Sequence, residues 1–205
     1  MKFDKEHWKD IDINIDSLWI IGPRAKGGKR ENVYHGNFAP QIPDHLIRRY
    51  TEEGDIVLEP FMGSGTTLYE CERLKRSYIG FDINEEIISH VESRMSDCKD
   101  IEYFIHNVDC TLYEETIQRI KSSLKCLGKQ RVDFVLSHPP YWDIIKFTNK
   151  SSDLSNTTDF QIFLDKFIAS MKNATELLRS GKHFAVVVGD IYRDGEVIPL
   201  GFYLM

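Results

Sequence analysis

Between Asp55 and Thr67 the chain reads Asp-Ile-Val-Leu-Glu-Pro-Phe-Met-Gly-Ser-Gly-Thr-Thr, and few folds accommodate that order. Ile56, Val57 and Leu58 form a short apolar run between Gly54-Asp55 and a glycine-rich turn. Such a run is expected to be a buried strand of a parallel sheet. Gly63 and Gly65 flank Ser64, so the backbone can turn sharply, adopt positive φ cheaply and approach a ligand closely. Leu68, Cys71, Glu72 and Leu74 then follow Thr66 at helical spacing. Strand, glycine turn and helix make a ligand crevice at the carboxyl edge of an open α/β sheet. A plain tight turn in a βαβ unit would show the same spacing.

The residues narrow the ligand. The stretch lacks the lysine of a phosphate-binding P-loop. Leu68 stands where a dinucleotide fingerprint needs its third glycine. Glu59 and Pro60 lie at the strand end, where a carboxylate would repel a pyrophosphate but suit a cationic or hydroxyl-bearing ligand. S-adenosylmethionine offers both an α-amino group and a ribose. Glu59-Pro60-Phe61-Met62-Gly63-Ser64-Gly65-Thr66 resembles motif I of the amino-methylating DNA methyltransferases, usually Asp-Pro-Phe-x-Gly-Ser-Gly-Thr, with Glu59 replacing the aspartate. The resemblance implies a Rossmann-like, doubly wound, mostly parallel α/β sheet of the class I methyltransferase type. It also implies S-adenosylmethionine as cofactor, with Glu59, Pro60, Gly63, Ser64, Gly65 and Thr66 beside it.

The neighbouring segments extend this reading. Ser77 to Asp82 reads as a second strand ending in an acid, about 20 residues after the glycine turn, where a ribose is hydrogen-bonded. Asp82 and the adjacent Ile83 are therefore cofactor candidates; capping of the next helix is the competing role for Asp82. Residues 84–97 carry a helical apolar pattern, and Ile101–Ile105 is expected to be a third strand. Asp109 and Cys110 follow it, where methyltransferases in general place an acid on the adenine amino group. Upstream, Asn37-Phe38 precedes a helix expected to begin near Asp44, which could cap it. This segment resembles motif X of the same family and makes Phe38 a cofactor-side candidate, although a core position would equally suit it.

Val132–Leu136 reads as a fourth buried strand, followed by Ser137-His138-Pro139-Pro140-Tyr141-Trp142. Two prolines end the strand abruptly and stiffen the exit. An exocyclic base amine is a poor nucleophile because its lone pair is delocalised into the ring. Two acceptors on its N–H groups, a side chain and the Pro139 carbonyl, would favour a pyramidal nitrogen. Tyr141 would stack on a base flipped out of the helix. The stretch resembles motif IV of the family, in which Asp, Asn or Ser precedes Pro-Pro-Tyr; here His138 holds that place and Ser137 is one residue earlier. Neutral histidine can accept a hydrogen bond, protonated histidine cannot. The catalytic candidates are Ser137, His138, Pro139, Pro140 and Tyr141.

The remainder of the chain is expected to hold a polar loop over 143–158, a helix over 160–178 stopped by Gly181, a buried strand over 184–188 and a turn at 193–196. That leaves the sheet without the last strands of the family pattern and without a separate target-recognition region. A missing C-terminal part or a partner subunit would then supply recognition. Residues 1–36 read as an N-terminal segment: Ile11, Ile13 and Ile15 alternate with polar residues, Trp19, Ile20 and Ile21 look buried, and Arg24, Lys26, Lys29 and Arg30 form a basic glycine-rich loop. This loop is either a solvated surface turn or an arm contacting a nucleic-acid backbone. Residues 37–205 read as the catalytic domain.

A formal net charge of −6 argues against nucleic-acid binding by the whole surface but allows a local basic face. Four cysteines without paired close spacing suggest free thiols, no metal site and a cytoplasmic setting. No membrane-length apolar run is present in the sequence. The reading that best unites the motifs is methyl transfer to cytosine N4 or adenine N6 of DNA. The alternatives are an RNA or protein-amide methyltransferase, or a non-catalytic partner subunit that binds cofactor or DNA.

Overall fold

The computed structural model describes residues 13, 14, 16–29 and 36–205. Ile11, Ile15 and Arg30 lie outside the described residues, so the alternation over 11–15 is not addressed. The described chain runs α1 (Gln41–Tyr50), β1 (Ile56–Glu59), α2 (Thr66–Leu74), β2 (Ser77–Asp82), α3 (Glu85–Arg94), β3 (Tyr103–Asn107), α4 (Tyr113–Cys126), β4 (Val132–Ser137), α5 (Phe160–Thr175), β5 (Leu178–Val186), β6 (Ile191–Arg193), β7 (Glu196–Ile198) and α6 (Leu200–Tyr203). Strands β1–β5 form one sheet in the order β3-β2-β1-β4-β5, and every pairing in it is parallel. This is the doubly wound sheet expected from the sequence.

Period-two alternation divides the core. Ile56 and Leu58 of β1 pack with Ile120, Phe163 and Phe167 on the α4–α5 side. Val57, between them, packs with Ile47, Leu68 and Val91 on the α1–α2–α3 side. Burying a side chain such as Leu58 is worth about 1.5–3 kcal/mol, and β1 does so on both faces because helices cover both. The sheet order turns at β1, so β1 and β4 are neighbours although their residues are distant in sequence. Ligands bind at such a switch point, beyond the strands' carboxyl ends.

Several local expectations change. Helix α1 begins at Gln41, ahead of Asp44. Pro43 fits its first turn, where an N–H would have no partner. Asp44 is not the cap; it pairs with Arg48 at 2.8 Å and with Arg73. Trp19 is half-buried against the His45 ring at 5.7 Å, while Ile20 is 88% exposed and Ile21 is also on the surface.

The largest change is at β5. Helix α5 ends at Thr175, and Gly181 lies inside the strand with φ +78°, so it is not a helix stop. The β4–β5 register slips there, Val132 pairing with Leu178 but Phe134 with His183. A glycine can take the left-handed conformation that one kind of bulge uses. Around it, Arg179 reaches Asp133 at 2.7 Å and Lys182 reaches Asp55 at 3.3 Å. β5 is also an edge strand, with Phe184 58% exposed, where a buried strand was expected. The turn at 193–196 is present as the β6–β7 hairpin, Asp194 and Gly195 both having positive φ.

Candidate active site

A cleft opens where β1, β2 and β4 end. Pro60, Gly63, Thr66, Asp82 and Ile83 line one side, and Phe38 lines the cleft against His138. Asp109, Cys110 and the run His138–Tyr141 line it further round. Residues 144–154 supply another wall. Most of the sequence-derived candidates therefore converge on one space.

The two glycines of the turn do different work. Gly63 has φ +53°, and a Cβ there would meet nothing within 4 Å, so its freedom leaves room in the cleft. Gly65, φ +81°, starts α2. A Cβ there would come within 3.0 Å of Val91 and 3.1 Å of Tyr69, so this glycine serves helix packing. Gly65 and the buried Ser64 are not among the residues lining the cleft.

Glu59 is also placed otherwise than expected. It is 1% exposed and does not line the cleft. Thr67 Oγ1 and Tyr78 OH each donate to its carboxylate at 2.6 Å. Burial pushes its pKa up to about 8, against the pull of those two hydrogen bonds. Its visible role is to tie the end of β1 to α2 and β2.

Asp82 does face the cleft. Its Oδ2 accepts from Gly63 N and its Oδ1 from Asn84 N, both at 2.8 Å. The carboxylate thus fixes the glycine turn and the entry to α3 together. Asn84, not Asp82, caps α3, accepting from Glu86 N and Ile87 N. Burial raises the Asp82 pKa to about 6, partly offset by the backbone donors. Asp109 accepts from Thr111 N at 2.8 Å, and Asn173 donates to the Cys110 carbonyl at 2.8 Å.

At the end of β4, Ser137 is fully buried, its Oγ has no hydrogen-bond partner, and it does not line the cleft. His138 does. Burial lowers its pKa to about 4, so the ring is neutral near pH 7. Its Nε2 lies 3.1 Å from Tyr141 OH, and Phe38 covers the ring at 4.5 Å between centroids. Tyr141 packs on Gly189, where a Cβ would sit 3.2 Å from the tyrosine ring. Trp142 follows with φ +53°, a rare conformation for a bulky residue. Phe160 at 5.0 Å and the Arg193 guanidinium at 4.1 Å hold its ring, and Arg193 also pairs with Asp143.

Two described cations of the basic loop are engaged within the protein. Arg24 donates to the Phe38 carbonyl at 2.6 Å. Lys29 pairs with Glu72 and Asp97, both at 2.7 Å. Lys26 is exposed.

The polar loop expected over 143–158, where it could contact the base or its flanks, supplies the wall from Ile144 to Leu154; the support from Gly189 and Arg193 had no counterpart in the sequence reading. A signal for the wall exists: Asp153 with Ser155 two residues on is an Asx-turn spacing. Its carboxylate accepts from Ser155 N at 2.8 Å and from Thr148 N at 2.9 Å.

Comparisons with known proteins agree with this geometry. Residues 1–93 match the DNA methylase family N6_N4_Mtase. The chain is 45% identical over 75 residues to Type II methyltransferase M.MjaII of Methanocaldococcus jannaschii, covering 37% of this chain and 14% of that protein. It is 48% identical over 82 residues to Type II methyltransferase M.HpaI of Haemophilus parainfluenzae, covering 40% of this chain and 26% of that protein. The chain thus spans a minor part of the relatives it matches. Among solved structures, TrmN from Thermus thermophilus superposes with a TM-score of 0.52 at 19% identity, covering 74% of this chain and 39% of that chain. The fold is that of the class I S-adenosylmethionine-dependent methyltransferases. Among the described residues, no helix is long and apolar enough to cross a membrane.

Proposed function

We propose that residues 37–205 form the catalytic domain of an S-adenosylmethionine-dependent DNA methyltransferase acting on an exocyclic amine, cytosine N4 or adenine N6. The observation that carries this reading is the single cleft shared by the glycine turn, Asp82 and the His138–Tyr141 run. The donor set fits the cofactor: a carboxylate fixed by two backbone N–H groups for ribose hydroxyls, Asp109 for an amino group, and Ile83 and Val108 for a flat apolar ring. When bound, the cofactor supplies an electrophilic methyl group on a sulfonium.

The chain's own residues supply placement and polarity. With its Nε2–H donating to Tyr141 OH, neutral His138 keeps Nδ1 as an acceptor, and the Pro139 carbonyl is the second acceptor. Together they draw on the amine's N–H groups and free its lone pair. Tyr141 offers a ring for base stacking. Burial keeps His138 neutral, and the Phe38 ring is part of its covering. Glu59, Ser64 and Gly65 act through the fold of the turn. On the DNA side, Lys26 is the exposed cation among the described residues of the basic loop.

The test is methyl transfer from labelled S-adenosylmethionine to unmethylated genomic DNA, with the product digested to nucleosides and weighed. N4-methylcytosine or N6-methyladenine is the expected product. Cofactor binding without incorporation into DNA would overturn the DNA reading in favour of an RNA or protein-amide substrate or a non-catalytic subunit.

A further inference from the structure

The segment after the catalytic run is a rigid cap rather than a loose loop. Asp153 is buried and its carboxylate gathers four donors: Thr148 N and Oγ1, and Ser155 N and Oγ, all within 2.9 Å. The Asn156 amide donates to the Thr148 and Lys150 carbonyls, both at 2.8 Å. Phe147 N donates to Ser155 Oγ at 3.1 Å. A segment so cross-tied moves as a unit. Thr148, Asp153 and Leu154 of this unit line the same cleft as Asp82 and Ile83.

Lys150 joins the two sides. Its backbone is held inside the cap, while its ammonium donates to the Ile83 carbonyl at 2.7 Å and meets Glu85 Oε1 at 3.1 Å. The bond runs from the cap to the β2–α3 junction, next to the carboxylate assigned to the ribose.

We infer that Lys150 is a cofactor-retention residue, clasping the 147–156 cap to the Ile83–Glu85 turn so that a ligand in the adenosine half of the cleft leaves when the clasp opens. This rests on the reading of the cleft as an S-adenosylmethionine site. The carbonyl bond gives direction and the Glu85 carboxylate adds attraction. Both partners of the ion pair are partly exposed, so salt weakens the clasp. The lysine does not touch the methyl-bearing centre, so its effect falls on dwell time.

The experiment is stopped-flow release of S-adenosylhomocysteine from the full chain at low and high salt. Lys150→Met keeps the stem and removes the charge and donors; release is expected to quicken about fivefold at low salt, the scale of one partly exposed charged contact. Glu85→Gln, which leaves the carbonyl bond, is expected to quicken it about twofold. Lys150→Arg, which keeps charge and donors, stays close to wild type. Wild-type release accelerates with salt, whereas Lys150→Met release does not. An unchanged release rate in Lys150→Met, with tight wild-type binding, overturns the clasp alone. Absence of binding by the wild type overturns the cofactor reading and the clasp with it.

Discussion

The two sides of the cleft are built from different materials. The side at the ends of β1 and β2 is mostly backbone: a glycine turn and two N–H groups fixed by one carboxylate, Asp82. The side at the end of β4 is mostly side chain: a cluster of Phe38 tilted over His138 and Tyr141 edge-on to it, backed by Gly189, Trp142 and Arg193. A backbone site is specified by conformation and survives many side-chain changes. A side-chain site is specified by identity, and its polarity depends on burial. Cofactor binding and base chemistry should therefore fail separately.

The largest effect tests the first side. Asp82→Ala removes the carboxylate that fixes the turn and is assigned to the ribose. Two charge-assisted hydrogen bonds predict a loss of roughly 100-fold or more in S-adenosylhomocysteine affinity by calorimetry; unchanged affinity would break the assignment. Tyr141→Ala tests the other side. Methyl transfer should fall about 10- to 100-fold, in line with the loss of one base-stacking ring, while cofactor affinity stays close to wild type. Retained transfer would remove Tyr141 from the chemistry.

Smaller effects sharpen the contrast. Gly65→Ala should cost about 1–3 kcal/mol in urea unfolding, because the new Cβ presses on Val91 and Tyr69. Gly63→Ala has open space around it and should cost about 1–2 kcal/mol from its left-handed backbone, with its main effect on cofactor affinity. Equal behaviour of the two variants would collapse the division of labour in the turn.

A further effect is electrostatic, and the two sides run in opposite directions. His138 falls from 6.5 to about 4 on burial, so between those values the folded chain holds fewer protons than the unfolded chain. Its stabilising contribution is present above pH 6.5 and is lost as pH falls through 4. Asp82 rises from 3.8 to about 6, so its contribution is present below 3.8 and is lost as pH rises through 6. Urea midpoints from pH 4 to 7 should accordingly change slope one way in His138→Phe and the other way in Asp82→Asn. In the same range, methyl transfer should show no titration near 6.5 attributable to His138.

What the sequence disclosed follows the same division. Strand β2, its terminal Asp82 and the glycine turn were legible because they are local: a run, a turn and an acid at fixed spacing. Tyr141 was legible because two prolines mark the strand exit. Glu59 was misplaced because its partners, Thr67 and Tyr78, belong to other elements. The covering of His138 by Phe38 and the support of Trp142 by Arg193 join residues far apart in the chain, and no local pattern encodes them. Gly181 shows the limit most plainly. The same residue type stops a helix or kinks a strand, and acids on β4 and before β1 accompany the second outcome.

The sheet order also bears on when the cleft comes into being. β1 and β4 lie side by side, yet the bond from Ile56 N to Asp133 Oδ2 at their lower ends spans 77 residues. The βα units that carry the glycine turn and Asp82 can assemble early from nearby contacts. The aromatic side arrives only after a long loop closes, and such pairings are slow to form. If contact range sets the order of folding, the half assigned to the cofactor would stand open until β4 docks. A ligand that bound only the completed cleft would favour that last and longest-range pairing, acting on folding as well as on the finished protein.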